Sequence, residues 1–259
     1  MSANGIDAGN EWETSTKGAR QHGAGLTIDV ESTEATPLQL SRIAPRTPAG
    51  VTVKDPLLDR GATTKVKQAY RELRFALEAA RETAGVRTIG VVSVDGGDGR
   101  SLVAANVALS LTQGGRRRVA LVDACFEKPS VARMLDAEAP AGLAEVLAGR
   151  LPLEAALFAA GRQGLFALSS GNTGTTGLEP LDALDMFGAV VDRLATVFDF
   201  VLVDTPPLTE SVDAAAFASK LDGVVLVIRA RKTKASAVEQ AIARFPAGKV
   251  VGLVLNDAG

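Results

Sequence analysis

Six short runs of apolar, β-rich residues recur between residues 87 and 257. They are RTIGVVSV (87–94), RRVALVDA (117–124), GLFALSSG (164–171), DFVLVDTPP (199–207), DGVVLVIRA (222–230) and KVVGLVLND (249–257). Helical patterns fall at 100–113, 142–149 with 152–160, 178–198, 212–220 and 234–245. Near-continuous apolar strands alternating with helices cannot leave one sheet face in water, so they indicate a parallel sheet covered by helices on both faces. The expected fold class is therefore α/β. Its chemistry is expected beyond the carboxyl ends of the strands, where ligands of such sheets bind.

A further helix is predicted over TTKVKQAYRELRFALEAARETA (63–84). There Val66, Ala69, Tyr70, Leu73, Ala76, Leu77 and Ala80 follow the 3.6-residue period. Residues 1–62 carry no sustained period, and ATPLQLSRIAPRTPAG has prolines at three spaced points. This segment reads as a disordered tail or linker, with Trp12 as a solvated tail residue. The folded domain is assigned to residues 63–259.

Bulk properties exclude several functions. The formal net charge of −2 gives no basic excess for a polyanion, so no nucleic-acid partner is expected. One cysteine, Cys125, and one histidine, His22, rule out an internal disulfide and disfavour a cysteine zinc site or a histidine triad. No apolar run reaches membrane-spanning length, and the N-terminus lacks the basic-then-apolar order of a signal peptide. The expected location is cytoplasmic, with any recruitment to the inner face of the membrane made through a partner.

The first strand run leads into DGGDGRS (95–101), which opens a helix. Glycines let a turn face its N–H groups inward, and a helix N-terminus adds partial positive charge, so the segment suits an anion. Against the pattern G-x-x-x-x-G-K-[ST], Gly99 and Ser101 match, Val94 stands at the first glycine and Arg100 at the lysine. Alone, this reads equally as a glycine turn. Two acids change the balance: Asp123 and Asp204 end two other strand runs. A carboxylate there can hold Mg²⁺, usually through water, against a bound phosphate. Each acid by itself is a turn residue; both, after a strand–glycine loop–helix unit, indicate a nucleotide site.

From Val66 onward the chain resembles the bacterial tyrosine kinases of capsule and exopolysaccharide synthesis (BY-kinases, CpsD/CapB type), within the wider Min/Par/Mrp P-loop ATPases. The resemblance rests on AYRELRFAL, GGDGRSLVAANVALSLTQGG, LVDACFEKPSVARML, GLAEVLAG, DFVLVDTPPLTESVDA and the closing VVGLVLN. It implies ATP or ADP with Mg²⁺. Gly97, Gly99, Arg100, Ser101 and Leu102 would surround the phosphates, and Ser101, Asp123 and Asp204 would serve the metal. Arg100, Asp123 and Asp204 take the catalytic positions, and Asn256 that of an adenine-contacting asparagine. Asp213 matches an acid to which no role is given. Arg71 and Arg74 match part of a ring-forming E-x-x-R-x-x-R element whose acid is Gln68 here. The implied partner is a membrane polysaccharide chain-length regulator (co-polymerase).

Four departures stand beside these matches. Arg100 replaces lysine, and a wide planar fork is not equivalent to a compact ammonium in a tight loop. Cys125 replaces a second acid, and a neutral thiol is a poor Mg²⁺ ligand. Glu127 stands where the family has arginine. The family's tyrosine cluster has no counterpart after Asn256, and the single tyrosine, Tyr70, reads as a helix-packing residue. An active protein-tyrosine kinase, a degenerate relative that regulates polysaccharide assembly, and a Min/Par-type positioning ATPase are the three functions compatible with this pattern. The last tends to carry a second lysine early in the loop, absent from Asp95–Asp98. The expectation is family membership with impaired kinase turnover.

Overall fold

The computed structural model describes residues 62–139, 141–160, 163–172, 180–211 and 213–256. The tail reading of residues 1–62, with Trp12 and His22, lies outside them but for residue 62. All six expected strands are present: β1 (Thr88–Ser93), β2 (Val119–Asp123), β4 (Leu165–Leu168), β5 (Phe200–Asp204), β6 (Gly223–Arg229) and β7 (Val250–Asn256). A short β3 (Phe158–Ala159) adds a seventh, in the order β3-β4-β2-β5-β1-β6-β7. Every pairing is parallel except β3 with β4. β1, β2 and β5 are buried at every position, which is why these segments read as unbroken apolar runs.

The helices are α1 (Thr64–Ala84), α2 (Arg100–Leu111), α3 (Val131–Met134), α4 (Leu143–Leu147), α5 (Leu153–Ala156), α6 (Pro180–Ala195), α7 (Asp213–Ser219) and α8 (Ala235–Ala243). The pattern at 152–160 does not continue as helix. Leu157 packs into the cluster that holds Leu153 and Ala156, whereas Phe158 packs into the cluster on the other sheet face. Consecutive side chains buried on opposite faces require extended backbone, and β3 results.

α1 starts at Thr63, whose hydroxyl accepts from the Val66 N–H, and stops at Gly85, which takes φ +71°. Tyr70, Leu73 and Leu77 pack on the core, while Ala69 and Ala76 of the expected stripe are exposed. Tyr70 is thus the packing residue expected. In the run Arg116–Arg118, Arg117 pairs with Glu78 of α1 at 2.6 Å and lies 3.7 Å from Asp199. α2 is buried along most of its length, as its small and apolar composition demands.

β1 runs through α2 to β2 on one side, and β5 through α7 to β6 on the other. β1 and β5 are neighbours. Their carboxyl ends form the topological switch point, the usual ligand crevice of an open parallel sheet. Among the described residues no helix is long and apolar enough to cross a membrane.

Candidate functional site

A cavity of about 620 Å³ opens at this switch point, lined among others by Gly97, Gly99, Arg100, Ser101 and Leu102. The loop reaches it through left-handed turns at Gly97 (φ +83°) and Gly99 (φ +87°), which only glycine adopts without strain. Two of the bonds that hold the loop involve Asp98. Asp98 Oδ2 accepts from the Asp95 N–H at 3.0 Å, and Asn256 Nδ2 donates to the Asp98 carbonyl at 2.8 Å. A Cβ on Gly99 would lie 2.0 Å from Asn256 Nδ2. Asn256, expected at the adenine, thus has its amide on the loop backbone at the end of β7.

Arg100 begins α2, yet its side chain turns onto the strand ends. Nε donates to Asp204 Oδ1 at 2.7 Å, Nη1 donates to Ser93 Oγ at 3.1 Å, and Nη2 lies 3.7 Å from Cys125 Sγ. The Arg100 side chain is 9% exposed and that of Asp204 0%. This is a buried charge-assisted pair at a length typical of strong ones. A guanidinium offers donors in several directions, so one residue ties β1, β5 and the turn after β2; an ammonium has no such fork. The expectation that Arg100 would turn its charge to the phosphates gives way to an ion pair with the strand-end acid.

Asp123 and Asp204 are register partners across β2 and β5. Asp123 Oδ1 accepts from the Cys125 N–H at 3.0 Å, and Oδ2 from the Ser130 and Val131 N–H groups at 2.8 and 3.0 Å. Burial and then the charge of Asp204 push its carboxyl from an ordinary 3.8 up to about 6, against those three donors. Burial also raises Asp204, with Arg100 opposing. Asp204 Oδ2, Ser130 Oγ and Asp98 Oδ1 are buried without hydrogen-bond partners. Cys125 is buried, and burial raises its thiol, which keeps it neutral. Glu127 is exposed on the cavity lining.

The Asp123 shift has a pH consequence. A carboxyl with a raised folded-state pKa favours the protonated form on folding. Its contribution is fully present below about 4 and is lost as pH rises through about 6. The difference is on the order of 2–3 kcal/mol. Urea denaturation at pH 4.5, 5.5 and 7 is expected to show stability falling across this window, and Asp123→Asn to flatten the slope.

The residues the sequence offered for Mg²⁺, Ser101, Asp123 and Asp204, are partly engaged elsewhere in this structure. Both Asp123 oxygens are engaged by backbone donors, and one Asp204 oxygen by Arg100. Among the described residues no group of three or more His, Cys, Asp or Glu is arranged to hold a metal ion.

The fold brings together Gly97, Gly99, Arg100, Ser101, Leu102 and Asp213 around one cavity, with Asp123 and Asp204 at the strand ends beside it. Three further residues join them. Ser93 is the last residue of β1, a position that adjoins any loop after that strand. Lys128 Nζ and Glu210 Oε2 meet at 3.0 Å between the turns that follow β2 and β5. Nothing in their local sequence marks that meeting. Arg71 is exposed, whereas Arg74 donates to the Ser110 carbonyl at 3.1 Å and lies 3.3 Å from Gln113 Oε1, within the same chain.

A family model described as "ParA: NUBPL iron-transfer P-loop NTPase" matches residues 86–258. The tyrosine-protein kinase YwqD of Bacillus subtilis is 31% identical over 192 residues, covering 73% of this chain and 80% of that protein. The succinoglycan biosynthesis transport protein ExoP of Rhizobium meliloti is 28% identical over 193 residues, covering 73% of this chain and 24% of that protein. The kinase domain of the Escherichia coli tyrosine kinase ETK superposes with a TM-score of 0.69 at 23% identity, covering 84% of this chain and 83% of that domain. With its strand–glycine loop–helix unit at the switch point and acids ending two neighbouring strands, the chain belongs to the ParA-type P-loop NTPases and, within them, to the bacterial tyrosine-protein kinase family.

Proposed function

We propose that this protein is a BY-kinase-type regulator of capsule or exopolysaccharide synthesis and export, that its loop holds ATP or ADP, and that its tyrosine phosphotransfer is impaired. The single observation that carries the last part is the buried Arg100–Asp204 pair. Phosphoryl transfer depends almost wholly on positioning and charge stabilisation. Here the cation at the lysine position is engaged by an acid that would otherwise serve the metal. Cys125 supplies no compensating carboxylate.

The link to polysaccharide rests on the kinship with ExoP, whose name records succinoglycan biosynthesis transport. The assigned partner is a membrane chain-length regulator, which would bring a cytoplasmic protein to the inner face of the membrane. Self-association through α1 is assigned to the exposed Arg71 more than to Arg74, which is bonded within its own chain.

Two measurements test this reading. Incubation with labelled ATP, Mg²⁺ and a tyrosine-bearing cytoplasmic tail of the chain-length regulator is expected to give no phosphotyrosine above a no-enzyme control. Robust phosphorylation by the natural chain would overturn the impairment. Affinity capture from detergent-solubilised membranes of the source cell is expected to recover the regulator. Capture lacking any polysaccharide-assembly component would overturn the partner.

A further inference from the structure

From the bonding around Arg100 we infer that its guanidinium stands in place of the divalent cation of a P-loop site, so that the loop takes a nucleoside diphosphate without metal. The inference rests on the nucleotide reading above and adds to it the cation that serves the site.

In P-loop NTPases the metal is held by the hydroxyl residue after the loop lysine and by a strand-end acid. In this chain that acid, Asp204, receives the Arg100 Nε–H at 2.7 Å. The other two guanidinium nitrogens reach Ser93 Oγ at 3.1 Å and Cys125 Sγ at 3.7 Å. The positive charge thus sits among the ends of β1 and β5 and the turn after β2, beside the strand-end acid that would hold a dication. The groups around it are buried, Ser93 and Asp204 at 0% exposure and Cys125 at 4%, with Ser93 and Cys125 at the cavity wall. Mg²⁺ dehydrates reluctantly and keeps several waters in protein sites, and a closely packed, already cationic cluster suits a weakly hydrated guanidinium better.

The changes at positions 100 and 125 are then two parts of one replacement. A dication between two or three carboxylates needs their negative charge. A single guanidinium needs less, and the acid expected at position 125 is a neutral thiol. The cavity lining still offers an anion the turns at Gly97 and Gly99, the N-terminus of α2, Arg133, and Lys128, which is shared with Glu210. These can meet two phosphates. A γ-phosphate would add charge with neither a loop lysine nor a dication to offset it, which makes the diphosphate the fitting ligand.

The test uses the natural chain and N-methylanthraniloyl-ADP as the fluorescent probe, titrated in excess Mg²⁺ and in EDTA. The two dissociation constants are expected to agree within about twofold, and a loss of about tenfold or more in EDTA overturns the inference. In Arg100→Lys/Cys125→Asp the same switch to EDTA is expected to weaken binding by about tenfold or more. A variant that binds equally well in both media overturns it too. Electron paramagnetic resonance of Mn²⁺ added without nucleotide separates this inference from the reading beneath it. The natural chain is expected to leave Mn²⁺ free, and stoichiometric binding that Asp204→Asn abolishes overturns the guanidinium assignment whatever the nucleotide does. If the probe binds in neither medium, the nucleotide reading and the metal-free diphosphate site fall together. The Mn²⁺ arm then decides only whether the guanidinium holds the cation position. Should the double variant fail to fold, Arg100→Lys alone takes its place.

Discussion

Replacing Arg100 by methionine is expected to lower the stability of the domain by about 3–5 kcal/mol at pH 7, because it leaves the carboxylate of Asp204 buried and unpaired. Asp204 is fully buried and its Oδ2 already lacks a partner. Removing Arg100 therefore leaves the carboxyl group without its cation. The protein can relieve the penalty only by protonating it, so the loss should shrink on acidification. In an Asp204→Asn background the same replacement should cost less by about 2 kcal/mol or more, since a neutral amide does not demand a cation. Arg100→Lys should fall between, keeping charge but losing the contacts to Ser93 and Cys125. Urea denaturation of the four proteins of the cycle measures the coupling directly. A coupling below about 0.5 kcal/mol would mean that the pair carries no weight in solution.

Restoring the loop lysine and the second acid together, in Arg100→Lys/Cys125→Asp, is expected to raise tyrosine phosphotransfer by about 100-fold or more over the natural chain. Removing one preorganised charge contact from a transition state typically costs roughly 10²–10³ in rate, and the double change returns two such contacts. A lysine has a flexible stem and a compact head that can reach β- and γ-phosphates, and its departure from Asp204 frees that acid. An aspartate at position 125 adds a second carboxylate near Asp123. Either change alone should recover much less. Arg100→Lys by itself leaves the neutral thiol of Cys125 in place of the acid. Cys125→Asp by itself, beside an intact Arg100–Asp204 pair, adds charge without freeing the site. Phosphotyrosine yield on a regulator-tail peptide in single-turnover conditions reads the effect. Equal yields from the natural chain and the double variant would move the impairment away from these two positions, with Glu127 the next charge to reverse.

Much of this protein was legible in its sequence because the relevant signals are local. The strands at β1, β2 and β5 are buried on both faces, and so had to be continuous apolar runs bounded by turns. The glycines at 97 and 99 sit at positive φ, a requirement of the backbone itself. Asp123 and Asp204 are the last residues of their strands, a position that can be counted along the chain. β3 escaped because two residues at the end of an apolar run carry no periodicity; only packing against both sheet faces distinguished strand from helix there. Lys128 and Glu210 escaped because their ion pair joins two turns 82 positions apart.

The sequence by itself determined the α/β order of elements, the switch-point loop, the two acids and the odd residues at 100, 125 and 127. It also showed that Arg100 is a cation where a lysine was expected. Only the tertiary structure decided what that cation does. A side chain on α2 can reach the phosphates or the strand ends, and no local rule distinguishes the two. The choice follows from the sheet, which sets Asp204 beside Asp123 in a dry position between β1 and β2. A buried carboxylate there needs a positive partner more than an open loop does, and the guanidinium of Arg100 is the group within reach.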